Sequence, residues 1–153
     1  MEQLLSLFET LTGHLGKLTE LAKQKTTAVR KNDLMDLDRI LKEEQAMALT
    51  FRGLDQKRIA LLKSLGLTEV PLADLPSHAP AALQQQTRNT VDALRRAYQI
   101  YASAADTARN TLECNLHEIE RFLAASGAEQ GDAPGYGPND VEPPSQMKAD
   151  FRA

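Results

Sequence analysis

The stretch VRKNDLMDLDRILKEEQ, residues 29–45, decides the fold because it separates two long runs of helix-forming sequence. Asn32 or Asp33 is a good N-cap, since a short side-chain oxygen accepts the free amides of a first helical turn. Asp36 then falls within that turn, where the helix dipole favours an anion. The basic pair at residues 30–31 precedes the break, where the dipole of the earlier helix favours cations. The stretch therefore predicts that one helix ends here and another begins.

The same stretch carries carboxylates of the kind that a metal site would use. Asp33, Asp36 and Asp38 lack the spacing and the glycine of a calcium loop. The chain has no Glu-x-x-His pair of the kind found in di-iron bundles. Its three histidines lie in separate segments, at His14, His78 and His117. The sequence therefore predicts helix capping here, and neither a metal nor another cofactor.

Apolar residues recur at alternating spacings of three and four along three segments, residues 4–29, 37–65 and 91–122. Such spacing is typical of helices that pack against each other. The patterns of the first two segments are interrupted by three charged residues, Lys25, Glu44 and Arg58. We expect these residues to pair across the bundle or to reach solvent at its ends, because an unpaired buried charge is costly.

The break at residues 32–33 allows either a helical hairpin or one long kinked rod, and the matching apolar patterns favour an antiparallel hairpin. Gly13 and Gly16 weaken the first helix by about 1 kcal/mol each if exposed, and they permit close approach where another helix crosses. Gly66 suits the left-handed residue that closes a helix. Residues 68–80, TEVPLADLPSHAP, predict a non-helical connection, with its last proline in the first turn of the third helix.

The composition changes near residues 126 and 127. Residues 127–153 contain four of the eight glycines and four of the seven prolines, with no apolar periodicity. We therefore expect residues 1–126 to form one all-α domain of three long antiparallel helices, a coiled-coil-like bundle. Residues 127–153 are expected to form a flexible acidic tail.

Composition and charge exclude several functional classes. The formal net charge of −3 gives no indication of nucleic-acid binding. No segment approaches the roughly 20 apolar residues that span a bilayer, and the acidic amino terminus is unlike a signal peptide. The single cysteine, Cys114, favours a reducing compartment. The sequence predicts a cytoplasmic protein without stable membrane insertion.

Nothing in the sequence predicts catalytic residues. Cys114 lies one helical turn before His117, but no anion-stabilising loop accompanies them, and a lone helical cysteine is most often a small buried hydrophobe. We therefore expect no enzymatic activity.

A surplus of apolar residues indicates a binding surface. Tyr98 and Tyr101 either pack in the core or line a groove for a partner helix. The first and third helices carry further apolar residues beyond their packing positions, including Leu5, Leu21, Leu83, Leu116 and Leu123. Three helices have a limited interior, so some of this surface should remain exposed for a partner helix or for a second copy in a homodimer.

Four features of residues 1–67 occur together: the Asn-Asp break at 32–33, Glu-Glu-Gln at 43–45, the Leu54–Arg58 pair and Leu-Gly-Leu at 65–67. A tyrosine between glycines follows the last helix in the run Gly135-Tyr136-Gly137-Pro138-Asn139, with Asp140 where a further glycine is typical. In these features the chain resembles the FlgN family of flagellar export chaperones. The resemblance extends more loosely through the third helix.

The resemblance implies a cytoplasmic chaperone that binds the carboxy-terminal helical segments of flagellar hook-associated proteins, which form the hook–filament junction. It implies that the chaperone prevents their premature assembly and delivers them to the type III export apparatus. The further partner that it implies is the export gate or the ATPase of that apparatus. The implied cargo surface lies on the third helix at Leu112, Leu116, Ile119, Phe122 and Leu123. Tyr136 is the implied contact with the export gate. The alternative is a structural helical protein that self-associates through its exposed apolar residues.

Overall fold

The computed structural model describes residues 1–129, which lie in helices and in the turns between them. The α-helices are α1 (Glu2–Lys31), α2 (Leu34–Ser64), α3 (Leu75–His78) and α4 (Gln84–Glu129), and two 3-10 turns cover Leu72–Asp74 and Ala81–Leu83. The three long predicted helices are confirmed, and the short α3 is an addition to them. The described residues divide into two units, with the boundary after Ile119.

The described residues include the end of α4 but only the first residues of the predicted tail. α4 continues to Glu129, past its predicted end near residues 126 and 127. The remainder of the predicted tail, including Tyr136, lies outside the described residues.

A two-residue turn joins α1 to α2. Asn32 adopts a left-handed conformation with φ 54°, and its N–H donates to the Val29 carbonyl at 3.1 Å. The Asp33 N–H donates to the Ala28 carbonyl at 2.9 Å, and together these bonds form a Schellman motif that closes α1. Asp33 also begins α2, because its Oδ1 accepts the Asp36 N–H at 3.0 Å. The predicted N-cap is confirmed at Asp33.

The other carboxylates near this turn pair with basic side chains of α2. Arg39 contacts Asp36 Oδ1 through Nη2 at 2.6 Å and Glu43 Oε1 through Nη1 at 2.7 Å. Lys42 Nζ lies 2.6 Å from Asp38 Oδ2. Hydrogen bonds to Asp36 and then to Glu43 are the main causes that raise the pKa of the Arg39 guanidinium above its ordinary value. These groups form a solvated row of ion pairs, each of which adds little to stability.

The main core lies at the end of the bundle where the chain begins, and the predicted apolar patterns of all three long helices meet there. Its buried side chains come from α1 (Leu4, Leu7, Phe8, Leu11 and Leu15), α2 (Leu62), the following connection (Leu67 and Leu75) and α4 (Val91 and Leu94). Phe8 is fully buried. Its truncation to alanine should therefore remove about 3–5 kcal/mol of stability.

The connection between α2 and α4 folds over this core. Gly66 has φ 69°, and its N–H donates to the Lys63 carbonyl at 3.1 Å. The Leu67 N–H donates to the Leu62 carbonyl at 2.9 Å, which completes a second Schellman motif and confirms the predicted closure of α2. The buried Leu67 and Leu75 then hold the connection against the bundle.

The prediction of a non-helical connection is wrong. Within residues 68–80 lie α3 and the first 3-10 turn, and burial of Leu75 stabilises them despite the three prolines. Pro71 and Pro80 precede the 3-10 turns, and Pro76 lies in the first turn of α3, where a missing N–H costs no hydrogen bond. The predicted position of Pro80 in the first turn of the third helix is wrong, because α4 begins four residues later, at Gln84.

α1 and α2 run antiparallel, as predicted, because the later half of α1 packs against the first half of α2. Within the first unit α4 runs parallel to α1, because Val91 and Leu94 pack with the beginning of α1 and Asn115 lies at its end. A second, smaller core joins the later half of α1 to the first half of α2, with Leu21, Ala28 and Ile40 buried in it. At the far end of α1, Asn115 Nδ2 of α4 donates to Asn32 Oδ1 at 3.2 Å. The first two long helices therefore form a hairpin and not a single rod.

Among residues 1–129, no helix approaches α1 closely at its two glycines. A Cβ added at Gly13 or Gly16 would meet nothing within 4 Å, and both residues are exposed. Of the two roles that the sequence leaves open for these glycines, close approach to another helix is wrong. Both residues remain a local weakness of α1, since a glycine inside a helix costs about 0.5–1 kcal/mol relative to alanine.

Candidate partner-binding surfaces

The large exposed apolar side chains of residues 1–129 lie on α2, just after it and on α4, and none lies on α1. The expectation that α1 contributes exposed apolar surface is wrong, because Leu5 and Leu21 are 2% and 6% exposed. α2 was not expected to contribute, yet it exposes Leu34, Met35, Leu41, Leu49 and Ile59. Sequence periodicity located the packed face of α2, but these residues lie between its packed positions and gave no separate signal.

The expectation of exposed apolar residues is confirmed for α4. Asn115 contacts the residue that follows α1, so α1 offers no further side chains to cover α4 beyond that point. Leu116 and Ile119 are 57% and 47% exposed, although they continue the face of α4 that packs upstream. Leu112, one turn earlier, is partly buried.

In the second unit, Phe122 and Leu123 are 71% and 62% exposed. The five residues Leu112, Leu116, Ile119, Phe122 and Leu123 are called the α4 stripe below. Along the sequence, Leu112, Leu116, Ile119 and then Phe122 or Leu123 follow one another at spacings of three and four, which is the spacing of one helical face. The stripe has the pattern that an amphipathic partner helix requires.

A groove lies between α2 and α4, and α1 contributes most of its floor. It consists of two adjoining depressions of about 670 Å³ and 380 Å³, which share Leu15, Phe51, Asp55 and Tyr98. Every lining residue belongs to the first unit, with α4 contributing between Leu94 and Leu112. At a rise of about 1.5 Å per residue, this segment of α4 is about 27 Å long.

The sequence left two roles open for Tyr98 and Tyr101, packing in the core and lining a groove. Tyr101 is partly buried and packs against the main core, whereas Tyr98 is 61% exposed. Both line the groove, together with small residues such as Ala48 and Ala105 that leave it open. Tyr98 thus offers an aromatic face and a polar tip to a bound group.

The charged residues within the apolar patterns also line the groove. Lys25 Nζ lies 2.6 Å and 2.7 Å from the two carboxylate oxygens of Glu44, and the side chains are only 17% and 22% exposed. The expected pair across the bundle is confirmed for these two residues. Arg58 instead pairs along α2 itself, where its Nε lies 2.7 Å from Asp55 Oδ1.

Cys114 is exposed, so the expectation that it is buried is wrong. It lies on α4 beside a shallow depression that also contains Asn110 and Glu118. The prediction rested on the apolar character of cysteine. Exposure of Cys114 depends instead on where α1 ends, which the residue type does not indicate.

A family model described as FlgN protein matches residues 1–142, which include the whole described bundle and Tyr136. The chain belongs to the FlgN family. The resemblance found in the sequence is thereby confirmed, and with it a general role as a flagellar export chaperone. No curated protein and no solved structure shows a significant match to the chain.

FlgN-family membership is consistent with the surfaces described above. Chaperones of this family bind other proteins, so exposed apolar residues on α4 and an open groove are relevant features. Within residues 1–129, none of the helices has the length and apolarity needed to cross a membrane.

Proposed function

We propose that this FlgN-family chain is a cytoplasmic chaperone for the carboxy-terminal helical segments of hook-associated proteins, the hook–filament junction proteins. It binds them through the α4 stripe, prevents their premature assembly and delivers them to the flagellar type III export apparatus. The observation that carries the proposal is the exposure of Leu116 and Ile119 on the packing face of α4, just past the end of α1. A cargo helix laid on this face replaces the contacts that α1 no longer provides.

The strength of cargo binding must allow release. Burying a few leucine and phenylalanine side chains yields about 1.5–3 kcal/mol each before the cost of association. The expected dissociation constant is therefore micromolar, which holds a cargo helix in solution and still lets the export apparatus remove it.

Titration calorimetry with the carboxy-terminal helical segment of a hook–filament junction protein from the same cell tests this proposal. We expect one-to-one binding that Phe122→Asp weakens at least tenfold, because the carboxylate would be desolvated against apolar cargo. Leu49→Asp on α2 is the matched control, since Leu49 is 72% exposed and Phe122 is 71% exposed. Equal binding by both variants and the unchanged chain would show that the α4 stripe is not the cargo site.

The proposed contact with the export gate is Tyr136. A tyrosine between glycines in a segment without apolar periodicity is poorly explained by packing. Tyr136→Ala should abolish pull-down of the purified cytoplasmic part of the export gate while leaving cargo binding intact. Phe151→Ala removes another aromatic ring from the same segment and should change neither export-gate binding nor cargo binding. Loss of gate binding in both variants would argue against a specific role for Tyr136.

Self-association is a second candidate function, favoured by the apolar residues of α2. Leu34, Leu41, Leu49 and Ile59 recur at intervals close to two or three helical turns, so they share one exposed side of α2. Light scattering across a dilution series tests this alternative. We expect a concentration-dependent dimer, weakened by Leu49→Asp, if α2 associates with a second copy. A strict monomer at high concentration would exclude it.

A further inference from the structure

The groove between α2 and α4 is a second apolar surface, and Leu112 is the one residue that it shares with the α4 stripe. Its floor is formed by Leu11, Leu15 and Phe51, which are buried or partly buried in the bundle. The small side chains of Ala48 and Ala105 leave room above this floor. Its length of about 27 Å matches an α-helix of about 18 residues.

Charge distinguishes the groove from the rest of the chain. Five basic side chains and two carboxylates line it, although the whole chain has a formal net charge of −3. The carboxylates are already engaged, Glu44 with Lys25 and Asp55 with Arg58. The groove is therefore basic, and neither of the two carboxylates among its described lining residues is left unpaired to repel an acidic partner.

Two of the basic residues stand on opposite walls of the groove. Arg52 belongs to α2 and Arg95 to α4, and both side chains are exposed. Neither forms an ion pair with another of the described residues. A helix lying on the floor would thus have one guanidinium on each side, and each guanidinium can accept a carboxylate through two parallel hydrogen bonds.

We propose that this groove binds one amphipathic α-helix of a partner protein, about 18 residues long, whose apolar face is flanked on both sides by acidic side chains. The apolar face packs on Leu15, Phe51 and Tyr98, and the flanking carboxylates pair with Arg52 and Arg95. Leu112 is the one residue of the α4 stripe that lines this groove, so the groove is a second proposed helix-binding surface in addition to the cargo surface.

Two designed peptides test the charge requirement on the full chain. Both are 18-residue helices with the same leucine face, one flanked by glutamates and the other by lysines. Fluorescence anisotropy should give at least tenfold tighter binding of the glutamate peptide in 50 mM salt, and the ratio should shrink in 500 mM salt because salt screens exposed charges. Equal affinities for the two peptides in low salt would overturn the proposal.

Paired variants locate the binding site without depending on a core residue. Arg52→Glu/Arg95→Glu should reverse the preference in favour of the lysine peptide. Arg88→Glu/Arg96→Glu changes the charge by the same amount at exposed α4 positions that do not line the groove, and should keep the preference for glutamate. Identical behaviour of the two double variants would assign the preference to net charge alone and overturn the groove as its source.

A filled groove provides the third measurement. Ala105→Phe places a ring in the groove and should weaken binding of the glutamate peptide at least tenfold. Ser103→Phe places the same ring in a different depression, between α1 and α4, and should leave the binding unchanged. Unchanged binding by Ala105→Phe would contradict the proposal. Sedimentation equilibrium tests whether a second copy of this chain occupies the groove instead. A dimer that dissociates on Ala105→Phe would assign the groove to that second copy and overturn the proposal of a partner helix.

Discussion

Replacing the two glycines of α1 by alanine tests whether that face of the helix is truly open. Gly13 and Gly16 both lie inside α1, and an added Cβ at either position would contact nothing within 4 Å. The substitution therefore costs no repacking and removes backbone freedom from the unfolded chain. A helix-interior glycine is about 0.5–1 kcal/mol less favourable than alanine, so Gly13→Ala/Gly16→Ala should stabilise the protein by about 1–2 kcal/mol.

Urea unfolding followed by helical circular dichroism measures this gain. With a slope of about 2 kcal/mol per molar urea, the midpoint should rise by about 0.5–1 M. Gly66→Ala is the matched control, because Gly66 also has open space around its Cβ position but has φ 69°. Alanine there should destabilise the protein by about 1–2 kcal/mol, since a Cβ is strained in the left-handed region.

The same assay can refute the reasoning. A lowered midpoint for the Gly13 and Gly16 variants would mean that another helix, from this chain or from a second copy, packs against that face of α1. If Gly66→Ala behaved like the α1 variants, the left-handed closure of α2 would be wrong. The opposite signs of the two substitutions depend only on backbone conformation and local space.

Three further perturbations test the turn and the polar pair within the bundle. Lys25→Met or Glu44→Leu alone should lower the free energy of unfolding by about 2 kcal/mol, because each leaves a partly buried charge unpaired. The double variant should lie within about 1 kcal/mol of the unchanged protein. Additive losses in a double-mutant cycle would contradict this coupling. Asp33→Ala should lower stability by about 1 kcal/mol in urea unfolding because α2 loses its N-cap, whereas Asp38→Ala removes only an exposed ion pair and should change it by less than about 0.5 kcal/mol. Asn32→Val should raise the rate of amide hydrogen exchange around the turn more than Asn32→Gly, because a β-branched residue resists the left-handed conformation that glycine adopts freely.

Much of the fold could be predicted because it depends on local signals. The capping oxygen of Asp33, the left-handed closure at Gly66 and the apolar period of α1 each act within a few residues of sequence. The connection was mispredicted because its helical turns depend on burial of Leu75 in a core assembled from residues distant in sequence. Intrinsic helix propensity counts the three prolines against a helix and takes no account of the burial of Leu75.

The candidate surfaces were predictable in part. Spacing placed Leu116, Ile119 and Leu123 on one face of a helix, but exposure of the first two depends on α1 ending at Lys31, opposite Asn115. The exposed leucines of α2 and the exposed Cys114 had no sequence signal, because apolar character does not state which partner covers a residue. Tyr98 and Tyr101 indicated a groove in advance, but the rest of its lining was not predictable, since it comes from three helices brought together only by folding.

The sequence by itself determined where α1 ends, where α2 begins and ends, which faces of the long helices pack and which family the chain belongs to, because capping chemistry and apolar period are properties of neighbouring residues. Only the tertiary structure decided that Lys25 pairs with Glu44, that Arg58 does not cross the bundle, and that α2 and α4 leave a basic groove between them. Those outcomes depend on the relative lengths and positions of three helices. The distance between side chains on different helices is fixed by packing and not by their spacing along the chain.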